Sequence, residues 1–254
     1  MKIKDLFEAP LPLHSTDIDK YKSRKILAKH GKKLGQGAFG AAYEIPKDVT
    51  TVVKTSELNR QSWYADGYFN YVKEIADKTD NPYLPQIYEI RRMQPAGKNK
   101  YGESPEPYLL VNTEQLYKGE QFKPDELLLS IRRMMGRELT KTDYKIFLEL
   151  NHGKKLTTWG LLQVIADALN SYARAKSAKD SFVIADPQLR QALGIVRKLK
   201  KKGYVVDLHE QNFMFRRTPY GPQLVLTDPL AWYHGNKYAD PKEPVFKIVV
   251  GNPK

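Results

Sequence analysis

The chain of 254 residues carries 42 lysines and arginines against 29 aspartates and glutamates, and 41 % of it is hydrophobic, enough for one large core or two modest ones. No cysteine is present, which excludes disulfides, thiolate metal sites and a cysteine nucleophile and fits a reducing, cytoplasmic setting. The start "MKIKDLFEAPLPL" has no apolar run behind its charges, and no stretch approaches the roughly 20 apolar residues that span a bilayer, so neither a secretion signal nor a membrane anchor is expected.

Residues 1–30, rich in Pro, Lys and Asp, read as an extension packed on the surface or partly mobile. From Gly31 to about Tyr43 comes a glycine-studded stretch, and then "TTVVKT", a β-branched strand. "RQSWYADGYFNYVKEIADK" places Tyr68, Val72, Ile75 and Ala76 at helical spacing and stops before the turn "TDNP". Strand-like runs "LPQIYEIRRM" and "YLLVNTEQL" follow, separated by a Gly, Pro and Lys-rich loop over residues 95–107. After Lys118 the texture turns helical, through "PDELLLSIRRMMG", "KTDYKIFLEL", "TTWGLLQVIADALNSYARA" and "DPQLRQALGIVRKLKKKG". Two short strands near residues 213–216 and 223–227 bracket the turn "RRTPYG". The pattern is α+β: a small antiparallel-sheet part over 31–116 and a helical part over 117–254.

The net charge of +13 favours acidic partners. Direct nucleic-acid binding is not expected, because the basic residues are spread along the chain without a recognised binding module.

Three groups of residues carry chemistry. In "LGQGAFGAAY", Gly35, Gly37 and Gly40 suit a tight strand-turn-strand whose amides come close to phosphate oxygens, although such triplets also occur as plain hairpin turns. Lys54 ends the apolar run "TVVK"; it is either a solvated strand end or an ammonium that reaches the phosphates covered by the hairpin. In "VVDLHEQNFMF" and "VLTDPL", Asp207 suits the alignment of an attacking hydroxyl, and Asn212 and Asp228 offer hard oxygens suited to Mg²⁺. Taken singly, these residues equally well hydrogen-bond a turn or cap a strand.

In this order the motifs resemble the two-lobed protein-kinase-like fold with a truncated helical lobe, and most of all the early serine/threonine kinases of short-tailed bacteriophages. The resemblance implies a glycine-rich loop at Gly35, Gly37 and Gly40, a phosphate-binding Lys54, a catalytic Asp207, and metal ligands Asn212 and Asp228. It implies ATP and Mg²⁺ as cofactors. It also implies a hinge in "VNTEQL", with the backbone of Glu114 and Leu116 at the adenine edge and Thr113 before it. The carboxylate partner of Lys54 is Glu74 or Asp66. Val205 and Val206 stand where such kinases carry His-Arg, which speaks against control by loop phosphorylation. His209 replaces their usual lysine and is placed near the transferred phosphate. "DLH" and "TDPLAWYHG" are similar to ketosamine and aminoglycoside kinases, and no Ala-Pro-Glu motif follows. Three functions stay open: a serine/threonine kinase acting on host proteins, acidic ones among them; a small-molecule kinase; and a nucleotide-binding module that inhibits a host complex.

Overall fold

The computed structural model describes residues 27, 29–36, 40–45, 48–57, 65–78, 80–93, 108–150, 153, 155–175, 184–233 and 247–249. In chain order they form β1 (Lys32–Gln36), β2 (Gly40–Ile45), β3 (Asp48–Glu57), helix α1 (Ala65–Ile75), β4 (Ile87–Met93) and β5 (Tyr108–Glu114). A 3₁₀ turn at Gly119–Gln121 leads to helices α2 (Pro124–Met135), α3 (Lys141–Leu150), α4 (Thr158–Arg174) and α5 (Pro187–Lys201). Strands β6 (Tyr204–Val206), β7 (Phe213–Thr218), β8 (Gly221–Leu226), β9 (Leu230–Tyr233) and β10 (Lys247–Val249) follow. The class is α+β, and the expected strands and helices appear close to where composition and periodicity put them.

The chain divides into two compact units. The sheet unit comprises the chain up to Glu57, Ile87–Glu114 and Pro244–Lys254, and the helical unit comprises Leu58–Gln86 and Gln115–Glu243. Against a simple division near residue 116, α1 with its following turn falls in the helical unit, and β10 falls in the sheet unit.

All six strands of the sheet unit are antiparallel, in the order β1-β2-β3-β5-β4-β10. Cross-strand partners share a face. One face packs Tyr43, Val53, Tyr108 and Leu110 around Leu27, which is fully buried. The end of the N-terminal extension therefore belongs to this core; the rest of residues 1–26 lies outside the described residues. Glycine is required at position 40, because a Cβ there would run into the carbonyl of Thr55 on β3.

In the helical unit α4 buries Leu161, Leu162, Val164, Ile165, Ala168 and Leu169, the stripe that its 3.6-residue periodicity dictates. Its start is capped by the Thr157 hydroxyl, which accepts from Gly160 N at 3.0 Å. Asp186 caps α5 by accepting from Gln188 N and Leu189 N at 2.8 and 3.0 Å, with Pro187 in the first helical position. At α3 the Asp143 carboxylate takes two bonds from Arg137 and others from Thr140, and these donors hold its carboxyl well below the usual range.

Helix α1 joins this unit because its sequence leaves no room at Gly67. A Cβ there would collide with the carbonyls of Leu230 and Ala231 on β9. The Tyr71 hydroxyl donates to Leu226 O at 2.7 Å, and Tyr68, Tyr71, Val72 and Ile75 are buried.

Candidate functional site

The turn after β6 is held by its neighbours in sequence and in space. Val206 pairs with Leu230 across β6 and β9, and the Asp207 N–H continues this zip by donating to Pro229 O at 2.9 Å. The β7–β8 hairpin pairs Phe213 with Leu226, so the residues one step outside that pair, Asn212 and Thr227, must also face each other. They do: Asn212 O accepts from Thr227 N at 3.2 Å and from Asp228 N at 3.0 Å, and from the Thr227 hydroxyl at 3.0 Å. Hairpin register brings Asn212 to Thr227, and the Asp228 N–H bond to Asn212 O then seats Asn212 beside Asp228. The hairpin's own turn needs Gly221, whose φ is +96°.

The Asn212 side chain then ties this pair to Asp207. Its Nδ2 donates to Asp207 O at 2.7 Å and to Asp207 Oδ2 at 3.0 Å. With the nitrogen end committed to Asp207, the amide oxygen Oδ1 is turned away from that carboxylate. Asn212 Oδ1 and the Asp228 carboxylate are hard oxygen donors, which fits Mg²⁺. Two protein ligands suffice where substrate phosphates and waters complete the octahedron. A centre of three or more His, Cys, Asp or Glu side chains is not found among the described residues.

His209 lies in the same turn. Its Nδ1 accepts from Gln211 N at 3.2 Å, which puts the ring proton of the neutral imidazole on Nε2. That nitrogen is 3.8 Å from Asp207 Oδ2, and both side chains are 43 % exposed, so the pair is open to an incoming hydroxyl.

Helix α1 brings two tyrosines to Asp228: Tyr68, expected only as part of the helix's apolar face, and Tyr71, not expected there. Burial, and then the charge of Asp228, push the Tyr68 and Tyr71 phenols well above their ordinary range, so both stay neutral. Their signal in the sequence was the apolar stripe of the helix, which reads as core and nothing more.

The remaining candidates lie on the sheet unit. Gly35 pairs with Ala42, Ala42 with Lys54, and Lys54 with Val111. The four residues form one cross-strand row and share one face, with Gly35 and Lys54 about 10 Å apart across two strand spacings. Gly35 has open space where a Cβ would stand, so packing does not explain its glycine. Gly37 lies outside the described residues. Glu114 closes β5 opposite Thr51, and Leu116 is half-buried just past the division between the units. Glu74 is occupied within the helical unit: its carboxylate is 2.6 Å from Lys198 Nζ on α5 and 4.0 Å from Lys78 Nζ. The Asp66 side chain lies outside the described residues.

No protein-family model matches the chain, and no curated protein matches it. Among solved structures, "Amicoumacin kinase hAmiN in complex with AMP-PNP, Ca2+ and Ami" is similar over 87 % of this chain and 68 % of that chain, at 13 % identity. Its TM-score is 0.31, too low a likeness to bear on fold or function.

Proposed function

We propose that the protein is an ATP-dependent phosphotransferase of the protein-kinase-like kind, using Mg²⁺, whose acceptor is a serine or threonine hydroxyl of proteins in the cytoplasm of a bacteriophage host. The observation that carries this reading is the knot around Asn212. One side chain and one carbonyl bond Asp207 on one side and the Asp228 backbone on the other. The sheet order β1-β2-β3-β5-β4, with Lys54 on β3 in the same row as Gly35, supports a nucleotide-holding role for the sheet unit.

Each group has a part under this reading. Gly35, Gly37 and Gly40 and the Lys54 ammonium hold phosphate oxygens, and the backbone of Glu114 and Leu116 meets the adenine edge. Asn212 and Asp228 hold the metal, which supplies neutralisation of the charge on the transferring group. Asp207 aligns the acceptor hydroxyl and takes its proton, and His209 stands beside it. The work is positioning and charge stabilisation, with no covalent intermediate on the protein. A net charge of +13 favours encounter with acidic target proteins.

A small hydroxyl compound as acceptor is the second reading, favoured by His209 standing 3.8 Å from Asp207 in the place where protein kinases carry a lysine. Incubation with γ-labelled ATP, bacterial lysate and its small-molecule fraction, beside Asp207→Ala, tests both. Labelled proteins that vanish with the variant support the first reading, and labelled metabolites the second. ATP binding without any label transfer removes both and leaves a binding module.

A further inference from the structure

We propose that Asn170 and Arg174 are positioning residues: from one face of α4 they clamp the backbone on either side of Asp207. The role rests on the phosphotransferase reading for its meaning but on the geometry alone for its existence. The Arg174 guanidinium donates to Val206 O at 2.9 Å, and the Asn170 amide donates to Leu208 O. The two donors are one helical turn apart and so share a face of α4. The two acceptors flank residue 207, and in extended backbone alternate carbonyls point the same way.

With these two bonds, four backbone groups around Asp207 are engaged. Val206 O is held by Arg174, Asp207 N–H by Pro229 O, Asp207 O by Asn212 Nδ2, and Leu208 O by Asn170. Val206 and Leu208 anchor the strand from below, at 4 % and 1 % exposure. Asp207 is therefore left with a fixed backbone and one partly open carboxylate. Within the turn, Asn212 reaches Asp207 O, while Val206 O and Leu208 O take their bonds from α4. The Asn170 Oδ1 is buried and has no hydrogen-bond partner among the described residues, so the bond from its amide nitrogen to Leu208 O is the one the side chain makes there. A leucine would suit α4 better at that position, so the Leu208 carbonyl is the reason for an asparagine.

The test pairs a structural readout with a kinetic one, on full-length protein carrying Asn170→Ala, Arg174→Ala or Arg174→Lys. In amide hydrogen exchange, both alanine variants should lose protection over residues 205–212 by about tenfold or more while α4 keeps its own. Arg174→Lys, which retains a donor, should restore most of it. In phosphoryl transfer, kcat should fall about 10- to 100-fold in the alanine variants with KM for ATP held within about threefold, because the loss is one of alignment. Unchanged protection at 205–212 in both alanine variants overturns the clamp, and so does protection lost evenly across the chain. If Asn170→Ala does not fold, Arg174→Ala, with its exposed side chain, decides. A wild-type protein without any turnover would sink the phosphotransferase reading, and the exchange result would then decide the clamp by itself.

Discussion

The sheet unit and the helical unit place their candidate site residues by different physics. In the sheet unit, position follows from strand register: Gly35, Ala42, Lys54 and Val111 stand in a row because antiparallel ladders put partners on one face. In the helical unit, Asp207, His209 and Asp228 lie outside regular strands, and a few hydrogen bonds from side chains and turn backbone fix them. A row in a sheet tolerates the loss of one side chain. A turn held by a few hydrogen bonds does not, and each of its members is a separate point of failure.

The largest expected effect tests the helical unit. Asp207→Ala should lower phosphoryl transfer by on the order of a hundredfold or more while nucleotide affinity stays within a few-fold, since its contribution is felt in the transition state. Steady-state kinetics beside a nucleotide-binding titration checks this, and intact transfer would move the role to another residue. Next, Mg-ATP should raise the melting temperature of the wild type, and Lys54→Ala and Asp228→Ala should largely abolish that rise. Equal rises in all three proteins would mean that the nucleotide is held elsewhere.

Within the sheet, two glycines should behave as opposites. Gly40→Ala sets a methyl against Thr55 O and should cost about 1–3 kcal/mol in denaturant unfolding. Gly35→Ala, with open space at its Cβ, should change stability by less than about 0.5 kcal/mol and show its effect in nucleotide affinity instead. The reverse pattern would exchange their roles. Tyr71→Phe leaves the helix packed but removes the bond to Leu226 O, and about 1 kcal/mol should go with it. Glu74→Gln should also have a small effect. Its partner Lys198 is 56 % exposed, so the pair is worth at most about 1 kcal/mol, an amount that added salt should erase.

Much of the fold was legible because it rests on local pattern. The stripe in "TTWGLLQVIADALNSYARA" and the β-branched run "TTVVKT" state their own secondary structure. What pattern does not encode is partnership. Tyr68, Val72 and Ile75 announce a buried face, yet nothing local says that β9 is what buries it. Glu74 and Lys198 form their pair across 124 residues, and neither has a local signature for it. Strands of three or four residues, such as β6 and β9, are too short to show a period at all. At the site, Asp207, Asn212 and Asp228 stood out by type and order, whereas Asn170 and Arg174 did not. Two polar residues at i and i+4 on a helix read as a solvated edge until the carbonyls opposite them are seen.

The docking of α1 also sets a timetable. The Tyr71 hydroxyl and the carbonyl that receives it are 155 residues apart. At ~5–20 residues per second of synthesis, that is roughly eight to thirty seconds during which the aromatic face of α1 is outside the ribosome with nothing to cover it. Strands β1 to β5 are complete by Glu114 and can pair in that interval, while the helical unit waits for β8 and β9. The nascent chain thus spends its synthesis with five of the sheet's six strands able to pair and β10 still to come, and with Tyr68, Tyr71, Val72 and Ile75 as the surface that a chaperone would meet first.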